Sequence, residues 1–267
     1  MFVKDPCGIA CIIVTYSAIF YADYVVVKWI ILQTMINSLW GAFNLLTFNA
    51  IIFLLCMSHI RAVLTDPGTI PLPENRMDFS DIHSNTDLGC DLVNWTICTR
   101  CETYRPPRAH HCRICKRCIL RMDHHCPWIN NCVGERNQKF FLQFLIYVGA
   151  LAGYSVILVV SSWLGECSTC SDDIIIKQSR IMHSVILMLE STLFGMFVMA
   201  IFIDQMQAIL GDETAVEQIT HQGPYRPYKS MMALMTEVCG NDHPLLWLFP
   251  CSSVRGRYEE NLLNYEV

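Results

Sequence analysis

The segment from Cys98 to Cys132 is unusually dense in side chains that bind metals or act as nucleophiles. It contains seven cysteines and four histidines, which makes eleven potential ligands. Structural zinc ions in proteins are held by four Cys or His ligands at the corners of a tetrahedron. Two such sites would use eight of the eleven side chains, so three remain for another task.

The spacing of these residues assigns the ligands to two sites. Cysteine, cysteine, histidine and cysteine follow one another at steps of three, ten and seven positions, and the same steps recur when every position is shifted by fourteen. The sequence therefore predicts two interleaved Cys3His zinc sites. The first is formed by Cys98, Cys101, His111 and Cys118, and the second by Cys112, Cys115, His125 and Cys132.

One cysteine of this segment is left without a metal. Cys126 stands where a third unit of the repeat would begin, but Ile129 occupies the position at which that unit needs its second cysteine. His110 and His124 are the two remaining histidines. We therefore expect the thiol of Cys126 to be free for chemistry.

Asp123, His124 and Cys126 together contain the parts of an activated nucleophile. In an extended segment, side chains two residues apart point to the same face, so His124 can act as a base toward Cys126 while Asp123 orients the imidazole ring. A base is needed because an ordinary free thiol has a pKa of about 8.5 and is mostly protonated at neutral pH. The alternative is a small buried cysteine with a structural role, which is the commoner fate of this residue.

The rest of the chain is apolar enough to place these residues at a membrane. Of the 267 residues, 53% are hydrophobic and only 16% are charged. A bilayer is crossed by about 20 mainly apolar residues in a helix. Four segments meet this requirement: Ile9–Val27, a stretch within Trp29–Ser58, Phe140–Leu164 and Ile181–Ile203. We therefore predict an all-α integral membrane protein with four transmembrane helices.

Positive charges predict the orientation of these helices. The loop at 58–139 carries eleven of the nineteen Lys and Arg residues, so this loop and both termini are expected in the cytosol. Cytosolic thiols stay reduced, which favours metal sites over disulfides. The predicted organisation is spans one and two in residues 1–57, a cytosolic loop at 58–139 with the cysteine-rich domain at 98–139, spans three and four in 140–205, and a cytosolic tail at 206–267.

The cysteine-rich domain is locally basic although the whole chain has a formal net charge of −5. Such a surface next to a membrane suits the anionic head groups of lipids or a substrate that carries phosphate. No feature of the sequence indicates nucleic-acid binding.

The stretch RAHHCRICKRCILRMDHHCPWINNCVG, residues 108–134, resembles the cysteine-rich domain of the DHHC protein S-acyltransferases, which are named for the tetrapeptide found here at 123–126. The likeness extends to the four-span layout, to Asp66-Pro67-Gly68 after the second span, and to residues 212–217 after the fourth. The amino-acid sequence of this last segment is similar to that of a branch of the family that is often resident in the Golgi. We therefore expect a Golgi membrane protein, with the endoplasmic reticulum and the plasma membrane as alternatives.

The resemblance implies an activity and a role for each residue of the tetrapeptide. Members of this family take a fatty acyl group, here expected to be palmitoyl, from acyl-coenzyme A onto the cysteine that corresponds to Cys126. They then pass it to cysteines of membrane-associated proteins. By this likeness His124 is the base, Asp123 its partner and His125 a zinc ligand.

The resemblance also implies where the acyl-coenzyme A binds. Leu151 corresponds to a residue of the third span that helps to set the length of the acyl chain. Arg105, Arg108 and His110 correspond to side chains that contact the phosphates of coenzyme A. Leu234 stands where the family has an asparagine in its C-terminal element, so this likeness does not predict how the tail docks.

Three features outside the cysteine-rich domain complete the predictions. Glu190 is costly in lipid and should face the interior of the helix bundle, at a cavity or a helix contact. Cys167 and Cys170 lie in the lumenal loop between the third and fourth spans, where they are either free or joined in a disulfide. The C-terminal Tyr265-Glu266-Val267 matches the pattern bound by PDZ-type domains, unless it is only a disordered tail.

The main alternative to an enzyme is a membrane-anchored zinc module that binds other proteins, in the manner of RING domains. The ligand order of RING domains does not give this offset repeat, and it does not leave an adjacent histidine and cysteine free. The sequence therefore favours the enzyme.

Overall fold

The computed structural model describes residues 4–36, 38–72, 95–165, 173–220 and 228–251. Four long apolar helices dominate this part of the chain: α1 (Pro6–Thr34), α2 (Leu39–Leu64), α3 (Gln138–Leu164) and α4 (Ile174–Leu210). Each is long and apolar enough to cross a membrane, which confirms the predicted multi-pass membrane protein. The predicted features at Cys167, Cys170 and the C-terminal Tyr265-Glu266-Val267 lie outside the described residues.

The helices begin at capping residues and extend beyond the predicted apolar runs. Asp5 accepts hydrogen bonds from two backbone N–H groups of the first turn of α1, and Pro6 is the first helical residue, where it lacks no needed donor. Ser38 and Asp173 cap α2 and α4 in the same way. The helix α1 continues through a π-helical segment, Val25–Ile31. With 37 residues, α4 is about 55 Å long and exceeds the hydrocarbon core of a bilayer of about 30 Å.

The helix α3 lies at the centre of the bundle, with α2 and α4 packed against it. Polar side chains between the helices satisfy one another: the hydroxyl of Tyr154 donates to Oδ1 of Asn44 at 2.6 Å, and Nε1 of Trp163 donates to Oγ of Ser184 at 3.0 Å. Such pairing is needed because water is absent from the apolar layer. The first bond joins α3 to α2, and the second fixes the depth at which α3 and α4 face each other.

The cysteine-rich segment adds three short β-hairpins to this helical fold. Strands β1 (Thr96–Cys98) and β2 (Thr103–Arg105) form the first, β3 (His110–Cys112) and β4 (Arg117–Ile119) the second, and β5 (His124–Cys126) and β6 (Asn131–Val133) the third. The hairpins follow one another at a constant offset of fourteen positions. Each turn also contains one residue with a left-handed backbone, and these residues, Glu102, Lys116 and Asn130, share that offset. The repeat read from the ligand spacing is therefore a structural repeat.

The second hairpin is tied to the end of α2 by the turn at Asp66-Pro67-Gly68. Oδ1 of Asp66 accepts hydrogen bonds from the N–H groups of Gly68 and Thr69 at 2.8 and 2.7 Å, and Gly68 has a φ of +106° that favours glycine. The N–H of Leu120 then donates to the carbonyl of Gly68 at 2.9 Å. The predicted structural role of this turn is confirmed by these bonds.

The third hairpin is tied to α2 by the side chain of Asn131. Its amide nitrogen lies 3.2 Å from the carbonyl of Ala62 and 3.0 Å from that of Thr65. Carbonyls at the C-terminal end of a helix have no partner within the helix, so a buried amide that donates to them replaces water. The hairpin that carries Cys126 is therefore fixed directly to a membrane helix.

The described residues after α4 form two short α-helices, α5 (Ala215–Ile219) and α6 (Met231–Cys239), and a 3-10 helix at Pro244–Leu248. Leu234 and Val238 of α6 are buried with Leu142 of α3 and Ile209 of α4. The expected asparagine is absent, but Leu234 supplies a hydrophobic contact in its place. The tail therefore docks against the membrane helices by apolar packing, a contact that the resemblance did not predict.

We expect Leu234→Ala to lower the free energy of unfolding by about 2–5 kcal/mol, because a buried leucine loses its packing and leaves a cavity. Thermal unfolding of the purified protein in nanodiscs measures this loss. Leu245→Ala is the matched control, because Leu245 is 68% exposed. Equal melting temperatures for the two variants would show that α6 is not docked in this way.

Candidate active site

The structure brings each predicted set of four metal ligands together. The donor atoms lie within 4.8 Å of one another in both sets: Cys98, Cys101, His111 and Cys118, and Cys112, Cys115, His125 and Cys132. In each set, one hairpin supplies two cysteines from its strand end and turn, and the next hairpin supplies a facing histidine and cysteine. The two sites therefore join the three hairpins in series.

The geometry of both groups fits a tetrahedral ion. The sulfurs of Cys112, Cys115 and Cys132 lie 3.8, 3.4 and 3.6 Å from Nδ1 of His125. Ligands about 2.0–2.3 Å from a shared ion at tetrahedral corners are about 3.5–3.8 Å apart. The other ring nitrogen of His125 lies 3.9 Å from the Asp5 carboxylate, which is too long for a hydrogen bond.

Cys126 holds the place in the third hairpin that Cys98 and Cys112 hold in the first two. All three are the last residue of the first strand of a hairpin. Ile129, in the place of the second cysteine, is fully buried against the membrane helices. No group of metal ligands in the described ranges includes Cys126, and this residue lines a cavity between the helices instead.

Asp123 and His124 are directly hydrogen-bonded, and Asp123 is anchored from two further elements. Nδ1 of His124 lies 2.7 Å from Oδ2 of Asp123. The buried carboxylate also accepts hydrogen bonds from the side-chain amide of Gln205 in α4 and from the backbone N–H of Ala215, both at 2.8 Å. Sequence reasoning missed these two partners. Both are distant along the chain, and only the likeness of residues 212–217 to a family element drew attention to this region.

The electrostatic environment makes Asp123 and His124 an ion pair. Burial raises the pKa of Asp123, but hydrogen bonds from His124, Ala215 and Gln205 outweigh it and hold that pKa below its ordinary value. Burial lowers the pKa of His124, whereas Asp123 and Cys126 raise it to about 9. At neutral pH, Asp123 is therefore ionised and the imidazole of His124 is protonated.

An apolar cavity extends from Cys126 into the helix bundle. Its wall includes Phe141 and Leu151 of α3 and Trp128 of the third hairpin. Glu190 also lines the cavity, which confirms that this residue faces the interior of the bundle.

A second concave site lies on the basic face of the hairpins. It is lined by Arg100, Arg105, His110, His111 and Arg113, together with Met122 and Val216. Burial and the charges of Arg105 and Arg108 lower the pKa of His110, so its ring is neutral. Nε2 of His110 is buried and has no hydrogen-bond partner among the described residues. Arg105 and His110 are thus brought together in one pocket.

Arg108 differs from its two expected companions because its guanidinium is committed to carboxylates. Nε lies 2.6 Å from Oε1 of Glu217 and Nη1 lies 2.8 Å from Oδ1 of Asp212, with the arginine side chain only 6% exposed. Burial lowers the pKa of Arg108, but these carboxylates raise it above its ordinary value. Arg108 therefore joins the hairpins to the segment after α4, and its charge is already balanced.

A thiol held beside an apolar cavity at the end of four spanning helices is what a membrane-embedded acyltransferase requires. The sequence model of the DHHC palmitoyltransferases matches residues 93–222. Palmitoyltransferase ZDHHC3 of Homo sapiens is 36% identical over 256 residues, which cover 93% of this chain and 82% of that protein. Palmitoyltransferase ZDHHC7 of Mus musculus is 35% identical over 260 residues, 96% of this chain and 82% of that protein.

The chain therefore belongs to the DHHC palmitoyltransferase family and is a protein S-acyltransferase. This membership confirms the enzyme that the sequence favoured over a zinc module that only binds proteins.

The adjacent histidines His124 and His125 should respond differently to substitution. We expect His125→Ala to lose about one bound metal ion per chain, because Nδ1 of His125 faces three cysteine sulfurs. His124→Ala should retain both ions, because its imidazole faces Asp123. Elemental analysis of the purified full-length variants measures the content. Loss of an ion from His124→Ala would contradict this division of roles.

Proposed function

We propose that Cys126 is the nucleophile that carries the acyl group between coenzyme A and the protein substrate. The observation that carries this proposal is the position of Cys126. It occupies a metal-ligand position in a hairpin whose second cysteine is replaced by Ile129, and it lines the apolar cavity. The sulfur is thus next to the space that suits an acyl chain.

In the first transfer, the Cys126 thiolate attacks the thioester carbonyl of acyl-coenzyme A. Protonated His124 interacts with the sulfur of Cys126 and can give up a proton during the transfer. As the new carbon–sulfur bond forms, the bond to coenzyme A breaks, and His124 gives its proton to the departing sulfur. The products are acyl-Cys126, neutral His124 and free coenzyme A.

In the second transfer, a cysteine of a membrane-associated protein attacks acyl-Cys126. Neutral His124 takes the proton of the incoming thiol, and the Cys126 thiolate leaves. The Cys126 thiolate and protonated His124 are restored. His124 therefore acts as an acid in the first half of the cycle and as a base in the second. This two-stage scheme has ping-pong kinetics.

Asp123 acts through His124 as a positioning residue. Its hydrogen bond fixes which ring nitrogen of His124 faces Cys126, and Gln205 and Ala215 fix Asp123 in turn. Such support from a third group is what makes a histidine an effective partner of a nucleophilic cysteine.

We propose zinc as the metal in both Cys3His groups, because tetrahedral sites with three thiolates and one imidazole suit this ion. When bound, each zinc contributes folding energy to a segment that has little apolar core. The residues of the second group hold the third hairpin, and with it Cys126, in place.

Palmitoyl-coenzyme A is the proposed acyl donor, with its chain in the cavity and its head outside the membrane. Leu151 lies in the cavity wall, and this position supports the proposal that it helps to set the length of the acyl chain. Arg105 and His110 are the proposed contacts of the coenzyme A phosphates, because a positive charge and an unpartnered ring nitrogen meet in one pocket. Arg108 has a supporting role here, since its donors are already bound to Asp212 and Glu217.

We also propose a Golgi location with the hairpins and both termini in the cytosol. The support is the charge distribution along the chain and the likeness of residues 212–217 to the Golgi branch. The protein substrates would then present their cysteines at the cytosolic membrane surface.

The proposal predicts a thioester on Cys126. Purified full-length protein incubated with radiolabelled palmitoyl-coenzyme A should acquire a label that hydroxylamine removes. Cys126→Ser should remove this label, whereas Cys251→Ser should retain it, because Cys251 is exposed and lies in the tail. An unlabelled wild-type protein with two metal ions per chain would be decisive against Cys126 as the acyl carrier.

Leu151→Ala should shift the preference of the enzyme toward longer acyl chains. Removal of this side chain widens the cavity and makes room for more of the acyl chain, and each further buried methylene contributes about 0.8 kcal/mol, or about fourfold in relative rate. Competition between palmitoyl- and stearoyl-coenzyme A measures the ratio. Leu164→Ala, at an 82% exposed position of the same helix, should leave the ratio unchanged. The same ratio in both variants would remove Leu151 from the site.

A further inference from the structure

The wall of the cavity changes in character away from Cys126. Near the hairpins it is formed by aromatic and aliphatic side chains such as Phe141, Phe144 and Leu145. Three polar residues line its far part, namely Ser155 of α3 and Glu190 and Ser191 of α4. We refer to these three residues as the polar floor.

The contacts between α3 and α4 give the depth of this floor. A side chain on Gly195 would meet Ala152 at 3.4 Å, and Trp163 bonds to Ser184, so the two antiparallel helices share one register along this length. In that register Glu190 lies level with residue 157, six positions beyond Leu151. At a rise of about 1.5 Å per residue, this is about 9 Å further from Cys126.

The carboxyl group of Glu190 is not used by the rest of the structure. Within the described ranges it makes no hydrogen bond or ion pair, and it is only partly buried. Its polar neighbour on α1 is Tyr21, whose hydroxyl is engaged with Nδ1 of His183 at 3.0 Å. Ionisable side chains are costly within the membrane and mark substrate paths there, so a role in substrate selection accounts for this one.

We propose that Glu190 is a specificity-determining residue that ends the apolar part of the acyl site. This inference rests on the proposed function, in which the cavity holds the acyl chain. An unsubstituted chain gains from burial until its methyl end reaches the polar floor, and further methylenes would displace water from the carboxyl group of Glu190 without replacing its hydrogen bonds. A chain with a hydroxyl group at its end can supply that bond. The floor therefore limits plain acyl chains in length and accepts chains oxygenated at the far end.

Two variants of similar size separate polarity from volume. Glu190→Met makes the floor apolar, and Glu190→Gln keeps it polar. In competition assays on full-length protein in nanodiscs, we expect Glu190→Met to raise the ratio of stearoyl to palmitoyl transfer about fourfold or more, which is the gain from one or two additional buried methylenes. Glu190→Gln should keep the wild-type ratio. Thr192→Val is the control, because Thr192 is nearby on α4 but exposed on the outer face.

A measurement on the wild-type protein does not depend on any variant folding. Palmitoyl-coenzyme A and its 16-hydroxy analogue should label Cys126 at rates within about threefold, whereas an apolar floor would reject the hydroxyl by about tenfold or more. Strong rejection of the analogue, or equal chain-length ratios for wild type and Glu190→Met, would overturn this inference while palmitoyl labelling stays normal. Absence of palmitoyl labelling would instead overturn the acyl-carrier role of Cys126.

Discussion

The candidate active site depends on the absence of one metal ligand from the third hairpin. Three hairpins follow the same plan at equal intervals along the chain, and in the first two the last residue of the first strand belongs to a group of potential metal ligands. In the third hairpin, Ile129 replaces the second cysteine and is buried against the helices, so the sulfur of Cys126 has no ion to share. The same hairpin still contributes His125 and Cys132 to the second group of potential metal ligands. Its thiol lies outside both groups, which is the arrangement that the proposed role of Cys126 needs.

The helices and the hairpins are coupled through buried polar groups in addition to the apolar packing of Ile129 and Val133 against the helices. Asp123 accepts hydrogen bonds from its neighbour His124, from α4 and from the start of α5. Close by, Arg108 binds both Asp212 and Glu217. Because each of these groups is buried, removal of one partner would leave the other unpaired at a considerable cost. The orientation of His124 therefore depends on the folding of the segment that follows the fourth helix.

The grouping of the metal ligands was predictable from the sequence, because it depends on local spacing. The two ligand sets follow from their shared steps of three, ten and seven positions, and the candidate nucleophile follows from their saturation. The four helices were predictable because apolar length decides membrane insertion. The ends of these helices were less predictable. The sequence has no helix-terminating residue at Val27 or at Ile203, and both α1 and α4 continue beyond these positions.

The remaining features depend on contacts between distant parts of the chain. Gln205 is one of many polar residues near helix ends, and only the fold brings it to Asp123. The commitment of Arg108 to two carboxylates could not be read from its basic neighbourhood. Leu234 docks the tail by packing against Leu142, although its type departs from the family pattern. Three-residue strands, finally, are too short to give a periodic signal.

The close approach of Gly8 to the third hairpin has a consequence for the interpretation of natural variants. A side chain at position 8 would overlap with the side chain of Asn130, the left-handed turn residue four positions after Cys126. Even alanine, the mildest replacement, would therefore push the reactive loop away from the first helix. Position 8 lies far outside residues 93–222, by which the family is recognised. A substitution of Gly8 should therefore be interpreted as one that affects the candidate active site. Its position in a membrane helix alone would suggest only a contact with lipid.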